Sequence, residues 1–147
     1  MPPIVSTIDI ARPPDEVFAY ATDPAKFAEW QNDVIRVQIE DGQPPAVGCR
    51  FTTIRRVGGI ERTMAQQITA IDAPRSWTAR GIDGPIRPHA TITLEPLDGG
   101  ARSHVTFALD FDGHGLGVAL LPLIRRQTQR RAPTSYRNLK KRLETRQ

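Results

Sequence analysis

Near the start of the chain, Ile4, Ile8 and Ile10 fall, together with Ser6, on one side of a two-residue alternation. Residues 4–10 read IVSTIDI, which is the two-residue period of a β-strand. Pro13 and Pro14 must end this strand, because a proline donates no ladder hydrogen bond and restricts the residue before it. Pro14 also suits the first turn of a helix, and Asp15 and Glu16 would lie at the positive end of the helix dipole. A strand followed at once by a short helix is therefore predicted.

A second short helix and a series of strands follow. Asp23 can cap this helix, Pro24 suits its first position, and the helix should extend to about Trp30. Beyond it the chain divides into extended segments separated by turn residues, a spacing typical of an antiparallel sheet. Together with the first strand, about six to seven strands are predicted; the later segments are 33–40, 49–57, 60–71, 77–82, 88–97 and 102–112.

The C-terminal region predicts one long helix. Apolar residues recur at steps of three or four from Leu116 to about Leu143, and the polar positions are mostly arginine and lysine. Pro122 and Pro133 fall inside this range, where a proline removes a backbone hydrogen bond and kinks a helix. The fold class is therefore α+β, with a curved antiparallel sheet wrapped around a long, kinked helix. Such a helix leaves space for a ligand against the sheet.

Glycine turns predict which strand faces point toward the helix. Gly58-Gly59 is typical of a two-residue hairpin and would pair Val57 with Ile60. Residues 98–100, Asp-Gly-Gly, predict a four-residue hairpin loop between two later strands. In both hairpins one face collects most of the apolar residues, so that face should point inward.

The first hairpin also places two cations opposite each other. Arg55 and Arg62 would be cross-strand neighbours on the inner face, which is unfavourable unless an anion or a carboxylate lies between them. Either a ligand headgroup binds there or both side chains are solvated near the hairpin tip.

Two histidines fall on the outer face of the second hairpin. The register places His104 beside Glu95 and His89 beside Asp110. Both histidines are therefore predicted to be surface partners of carboxylates rather than catalytic groups.

Composition narrows the classes of function. The chain has 147 residues and a net charge of +4, but residues 125–147 alone carry nine basic residues and one acidic residue, so residues 1–124 are net acidic. The single cysteine excludes an internal disulfide. No signal peptide and no apolar run long enough to span a membrane is found, so we expect a cytoplasmic protein. Signatures of catalysis, metal binding and cofactor binding are absent, so no catalytic residue, metal or cofactor is predicted.

The order of these elements resembles the START and pollen-allergen-like helix-grip superfamily (SRPBCC). The resemblance rests on the strand, Pro13-Pro14 and helix opening, on Trp30, on the glycine hairpins, and on the ending from His114 to Lys140, which is similar to bacterial polyketide cyclase/dehydrase-like members. It covers nearly the whole chain and implies a single domain over residues 1–147 with a cavity between sheet and helix. It transfers no catalytic residue.

We expect fifteen residues on the cavity wall, although most of them could equally be ordinary core residues. The two tryptophans suit a pocket rim, because an indole ring is large and amphipathic. The expected wall consists of Trp30, Phe51, Thr53, Arg55, Arg62, Met64, Gln66, Trp77, Ile92, Phe107, Leu109, Leu120, Ile124, Gln127 and Tyr136.

Three functions remain open from the sequence. The favoured one is binding of a hydrophobic small molecule, lipid-like or polyketide-like. An alternative is a polyketide cyclase, aromatase or dehydratase, in which Arg55, Arg62, Gln66 or Tyr136 could orient carbonyls and stabilise an enolate. The last is contact of the basic helix with an anionic membrane or nucleic acid; no nucleic-acid motif accompanies the helix, so nucleic acid is not expected. The protein could be a monomer or a homodimer.

Overall fold

A curled antiparallel sheet packs around one long helix. The computed structural model describes residues 3–40, 46–57 and 59–145, and within these it contains seven strands in the order β1-β7-β6-β5-β4-β3-β2. The predicted α+β helix-grip fold is confirmed. The strands are β1 Ile4–Ile10, β2 Val34–Ile39, β3 Arg50–Val57, β4 Ile60–Asp72, β5 Ser76–Asp83, β6 Ile86–Leu97 and β7 Arg102–Gly113; the helices are α1 Pro14–Ala21, α2 Phe27–Trp30 and α3 Gly117–Thr145.

The opening segment folds as its prolines predict. Pro13 occupies the N-cap position of α1, which begins at Pro14. The Asp23 side chain accepts a hydrogen bond of 3.0 Å from the backbone N–H of Ala25 and caps a 3-10 turn, Pro24–Lys26, that leads directly into α2. The predicted second helix is thus present as two short pieces. It places Trp30 beneath α3.

Helix α3 is continuous from Gly117 to Thr145, so the predicted single long helix is confirmed, with Pro122 and Pro133 inside it. Pro122 and Pro133 are both exposed. The carbonyl groups they leave without an intrahelical partner, those of Val118 and Gln129, belong to exposed residues and can hydrogen-bond to water. None of the described helices is long and apolar enough to cross a membrane.

Three groups of hydrogen bonds hold α3 across the sheet. In its first half, the Gln127 side-chain amide donates to the carbonyl of Arg56 at 2.7 Å. In its second half, Ser135 and Asn138 bond to the end of α2 and the residues after it. At its end, Glu144 accepts from the backbone N–H of Ala11 at 2.8 Å. The helix is therefore tied to β3, to the α2–β2 connection and to the end of β1.

Both predicted hairpin registers are confirmed, including Val57 opposite Ile60 and Arg55 opposite Arg62. The predicted outer-face neighbours, Glu95 beside His104 and Asp110 beside His89, are therefore also confirmed, but His104 and Asp110 have further partners on other elements. His104 lies 2.6 Å from Asp9, because β1 pairs with β7 and places Asp9 directly opposite it. Asp110 accepts a 2.9 Å hydrogen bond from Arg125 of α3.

The core consists of two apolar clusters under α3. The larger one surrounds the ring of Phe27, which meets Trp30, Phe51 and Trp77 edge-on. The smaller one contains Val57, Met64, Ile86 and Ile124, close to the start of α3. The space between the two clusters is the cavity described next.

Candidate functional site

A cavity of about 110 Å³ lies between the inner sheet face and α3. It is smaller than the roughly 300–1,000 Å³ of pockets for drug-sized ligands. It is closer to an engineered apolar cavity of about 150 Å³ that binds benzene. As it stands, the cavity has room for one ring or a short chain.

Eleven of the fifteen residues predicted for the wall line this cavity. They come from α2, from five strands and from α3. They are Trp30, Arg55, Met64, Gln66, Trp77, Ile92, Phe107, Leu109, Ile124, Gln127 and Tyr136.

The structure places the other four predicted residues outside the cavity. Phe51 is packed behind it, against the rings of Phe27 and Trp77. Thr53 is fully buried, and its hydroxyl has no hydrogen-bond partner among the described residues. Leu120 packs against the smaller core cluster. Arg62 lies half-buried across from Arg55.

Strand alternation does not predict several other residues that line the cavity, because they lie in a connection or on α3. Gln31 and Asp33 lie in the connection after α2; on α3, Ala132 lies one helical turn before Tyr136 and Ser135 directly before it. The connection is held at the cavity by Ser135, whose hydroxyl accepts from the Asn32 backbone N–H at 3.1 Å. That contact spans about a hundred residues, so no local pattern indicates it.

Both tryptophans lie deep in the protein rather than at the rim. Trp30 and Trp77 are each 2% exposed, and neither indole N–H has an acceptor among the described residues. A buried donor without a partner costs about 1–3 kcal/mol. The two rings form part of the inner, apolar wall of the cavity.

Polar groups gather at the other end of the cavity. The Arg55 guanidinium donates to Asp33 at 3.1 Å and to the Gln31 side chain at 2.7 Å. Asp33 therefore supplies the carboxylate that an inward arginine requires. It is also the only carboxylate among the described residues that line the cavity. Arg131 and Gln127 of α3 complete this polar end, which we call the mouth.

Tyr136 lies between the mouth and the apolar interior. Its ring stacks on Phe107, with centroids 3.8 Å apart and planes 8° from parallel. Burial raises the pKa of its hydroxyl to about 12; nearby Arg55 opposes this rise and Asp33 adds to it. At neutral pH the hydroxyl is protonated, so it can donate a hydrogen bond but cannot act as a base. Together with Arg55 it offers donors to a ligand oxygen.

The raised pKa of Tyr136 predicts a loss of stability at high pH. Below pH 10 the hydroxyl is protonated in both the folded and the unfolded chain; between pH 10 and about 12 only the unfolded chain ionises. The free energy of unfolding should therefore fall by about 3 kcal/mol over this range from Tyr136 alone. Urea denaturation at both ends of the range measures the fall. In the Tyr136→Phe variant, the free energy of unfolding should decrease less over this pH range, because the tyrosine contribution is absent. An equal decrease in both proteins would contradict the raised pKa of Tyr136.

The fold is similar to those of several solved proteins. TTHA0849 from Thermus thermophilus has a TM-score of 0.79 and 16% identity, with 97% of each chain covered. The Zhui aromatase/cyclase from Streptomyces sp. R1128 has a TM-score of 0.79 and 17% identity, covering 97% of this chain and 93% of that one. A START superfamily protein from Mycobacterium smegmatis has a TM-score of 0.69 and 15% identity, covering 98% and 95%. At these identities the likeness concerns the fold.

The sequence itself matches one protein family. No curated protein sequence matches the chain significantly. The family model described as polyketide cyclase / dehydrase and lipid transport matches residues 1–144. The fold and the match together confirm the predicted resemblance to the START-like helix-grip superfamily. The chain therefore belongs to the polyketide cyclase / dehydrase and lipid transport family.

Proposed function

We propose that residues 1–147 act as one domain that binds a hydrophobic small molecule, lipid-like or polyketide-like, in the cavity under α3. The observation that carries this proposal is the division of the cavity into an apolar interior and a mouth with hydrogen-bond donors. Ile92, Leu109 and Ile124 supply apolar wall, whereas Arg55 lies at the mouth and the protonated hydroxyl of Tyr136 lies between the mouth and the interior. A ligand with an apolar body and an oxygen at one end fits this division.

The size of the cavity limits the affinity of its ligand. Burying about six carbons gains roughly 5 kcal/mol before the costs of ordering are subtracted. A ring-sized ligand should therefore bind weakly. A longer ligand must extend through the mouth past Gln127 and Arg131, or α3 must move away from the sheet.

Tryptophan fluorescence tests the proposal, because the only two tryptophans of the chain, Trp30 and Trp77, both line the cavity. Titration with decanoic acid or cyclohexanone should change their emission in a saturable way. Methylcyclohexane is a matched probe of similar size without the oxygen, and it should bind more weakly. In Arg55→Met and Tyr136→Phe this difference should disappear.

Two outcomes would reject the proposal. No saturable change with any of the three probes, together with no small molecule in the native mass spectrum of the purified protein, would exclude a binding cavity. Equal affinity for cyclohexanone and methylcyclohexane in the parent protein would exclude the role of the mouth donors.

A second candidate is a cyclase, aromatase or dehydratase that acts on a polyketide-like substrate. The observation in its favour is that Arg55 and the protonated Tyr136 could both donate to an oxygen on which negative charge develops, as in enolate formation. The described wall offers Asp33 as its carboxylate, and Arg55 already binds that group. Mass spectrometry after incubation with a linear poly-β-ketone thioester tests this candidate. If the parent protein removed water from the thioester and Tyr136→Phe did so at the same rate, Tyr136 would be excluded from the reaction.

A further inference from the structure

Apolar side chains are exposed at the start of α3. Leu116 is 88% exposed, Val118 57% and Leu123 47%. Ile60, at the β3–β4 hairpin, is 56% exposed, and its cross-strand partner Val57 packs in the same cluster as Ile124 of α3. Single exposed apolar residues are ordinary, whereas several at one end of a molecule mark an interaction site.

The exposed side of α3 becomes basic directly after these residues. Arg126, Arg130, Arg137 and Lys141 are all exposed, and at 3.6 residues per turn they lie within about 60° of one another around the helix. Arg126 and Arg130 have no carboxylate partner among the described residues. Residues 113–143 contain eight arginines and lysines and no aspartate or glutamate. This surface therefore attracts anions along its whole length.

We propose that this surface docks on lipid bilayers that contain anionic lipids. We define the docking surface as Leu116, Val118, Leu123, Arg126 and Arg130. Leucine and valine side chains gain free energy by entering the boundary between headgroups and acyl chains, while arginines bind the lipid phosphates. The exposed apolar residues at the start of α3 and the arginines that follow them thus supply both the apolar and the electrostatic part of membrane binding.

The exposed leucines distinguish a membrane from nucleic acid. A phosphate backbone would attract Arg126 and Arg130 equally well, but it offers no apolar environment for Leu116, which is almost completely exposed. A bilayer satisfies both kinds of side chain at once. The observations therefore favour the membrane over DNA or RNA.

The docking surface lies beside the mouth of the cavity. Ile124, Gln127 and Arg131 line the cavity from the same part of α3, and Arg131, which is itself exposed, directly follows Arg130. Docking would thus bring the mouth close to the lipid surface. Docking of this surface on a membrane does not depend on what the cavity binds. An experiment can therefore reject membrane docking without rejecting ligand binding, and the reverse.

Vesicle flotation tests the proposal. We expect the full chain to float with vesicles of phosphatidylcholine and phosphatidylglycerol at low salt, and much less with phosphatidylcholine alone or at high salt. Arg126→Gln/Arg130→Gln should lower the partition coefficient about thirty-fold. Leu116→Ser/Val118→Ser should lower it about ten-fold. The matched control Arg36→Gln/Arg80→Gln removes the same charge from exposed positions on β2 and β5 and should change it little.

Three results would overturn the proposal. An equal loss in the control pair would mean that net charge alone drives adsorption. An unchanged partition in Leu116→Ser/Val118→Ser would mean that neither of these side chains enters the bilayer, and the docking surface as defined would be wrong. Absence of flotation, with tight binding of duplex DNA that Arg126→Gln/Arg130→Gln abolishes, would assign the surface to nucleic acid. Thermal unfolding of each variant confirms that it is folded, which is expected because every substituted side chain is exposed.

Discussion

Replacing Phe27 with alanine is expected to lower the free energy of unfolding by about 3–5 kcal/mol. The Phe27 ring is 3% exposed and meets three other rings edge-on, with centroid distances of 6.0 Å to Trp30, 5.7 Å to Phe51 and 6.1 Å to Trp77. Phe51 and Trp77 are held by paired strands, so they cannot move far into the space that the ring leaves. A domain is stable by only about 5–15 kcal/mol, so the loss is a large part of the total.

Urea denaturation at neutral pH measures this loss through the transition midpoint. Phe27→Leu keeps an apolar group at the site and should lose clearly less than the alanine variant. Ile35→Ala, at an exposed position on β2, is the surface control and should change the free energy of unfolding by about 0.5 kcal/mol or less. If Phe27→Ala changed the free energy of unfolding as little as Ile35→Ala does, the aromatic cluster would not be a rigid part of the core.

The sequence predicts those parts of the fold that depend on neighbouring residues. The hairpin registers follow from short glycine turns, which set the pairing of the flanking strands directly. The helix starts follow in the same way from Pro14 and from Asp23 with Pro24. Strand alternation then places Met64, Gln66, Ile92 and the other inward residues of these hairpins on the side where the cavity lies.

The parts that the sequence does not predict depend on contacts between distant residues. The connection that carries Gln31 and Asp33 is positioned by Ser135 and Asn138 on α3. No local sequence pattern therefore indicates that this connection approaches Arg55. The contact of His104 with Asp9 has no local signal either, because it arises from the pairing of β1 with the other side of β7.

Leucine substitutions at two paired alanines should separate ligand binding from stability. Ala79 of β5 and Ala90 of β6 are cross-strand neighbours; Ala79 is fully buried in the core, whereas Ala90 lines the cavity. In Ala90→Leu the three additional carbons can enter the cavity of about 110 Å³. Ligand binding should be lost while the free energy of unfolding is maintained or slightly increased. In Ala79→Leu the same carbons have no space, and overpacking should cost about 1–3 kcal/mol.

The pair is informative because both substitutions add the same atoms to adjacent positions. Urea denaturation measures stability, and the emission of Trp30 and Trp77 during titration with cyclohexanone measures binding. If Ala90→Leu still bound the ketone with the parent affinity, the ligand would occupy a different place and the proposed site would be wrong. If Ala79→Leu were as stable as the parent, the core behind the cavity would also contain free space. The sheet side of the cavity wall could then move into that space. In that case α3 need not move for a ligand larger than one ring, because the sheet side could enlarge the cavity instead.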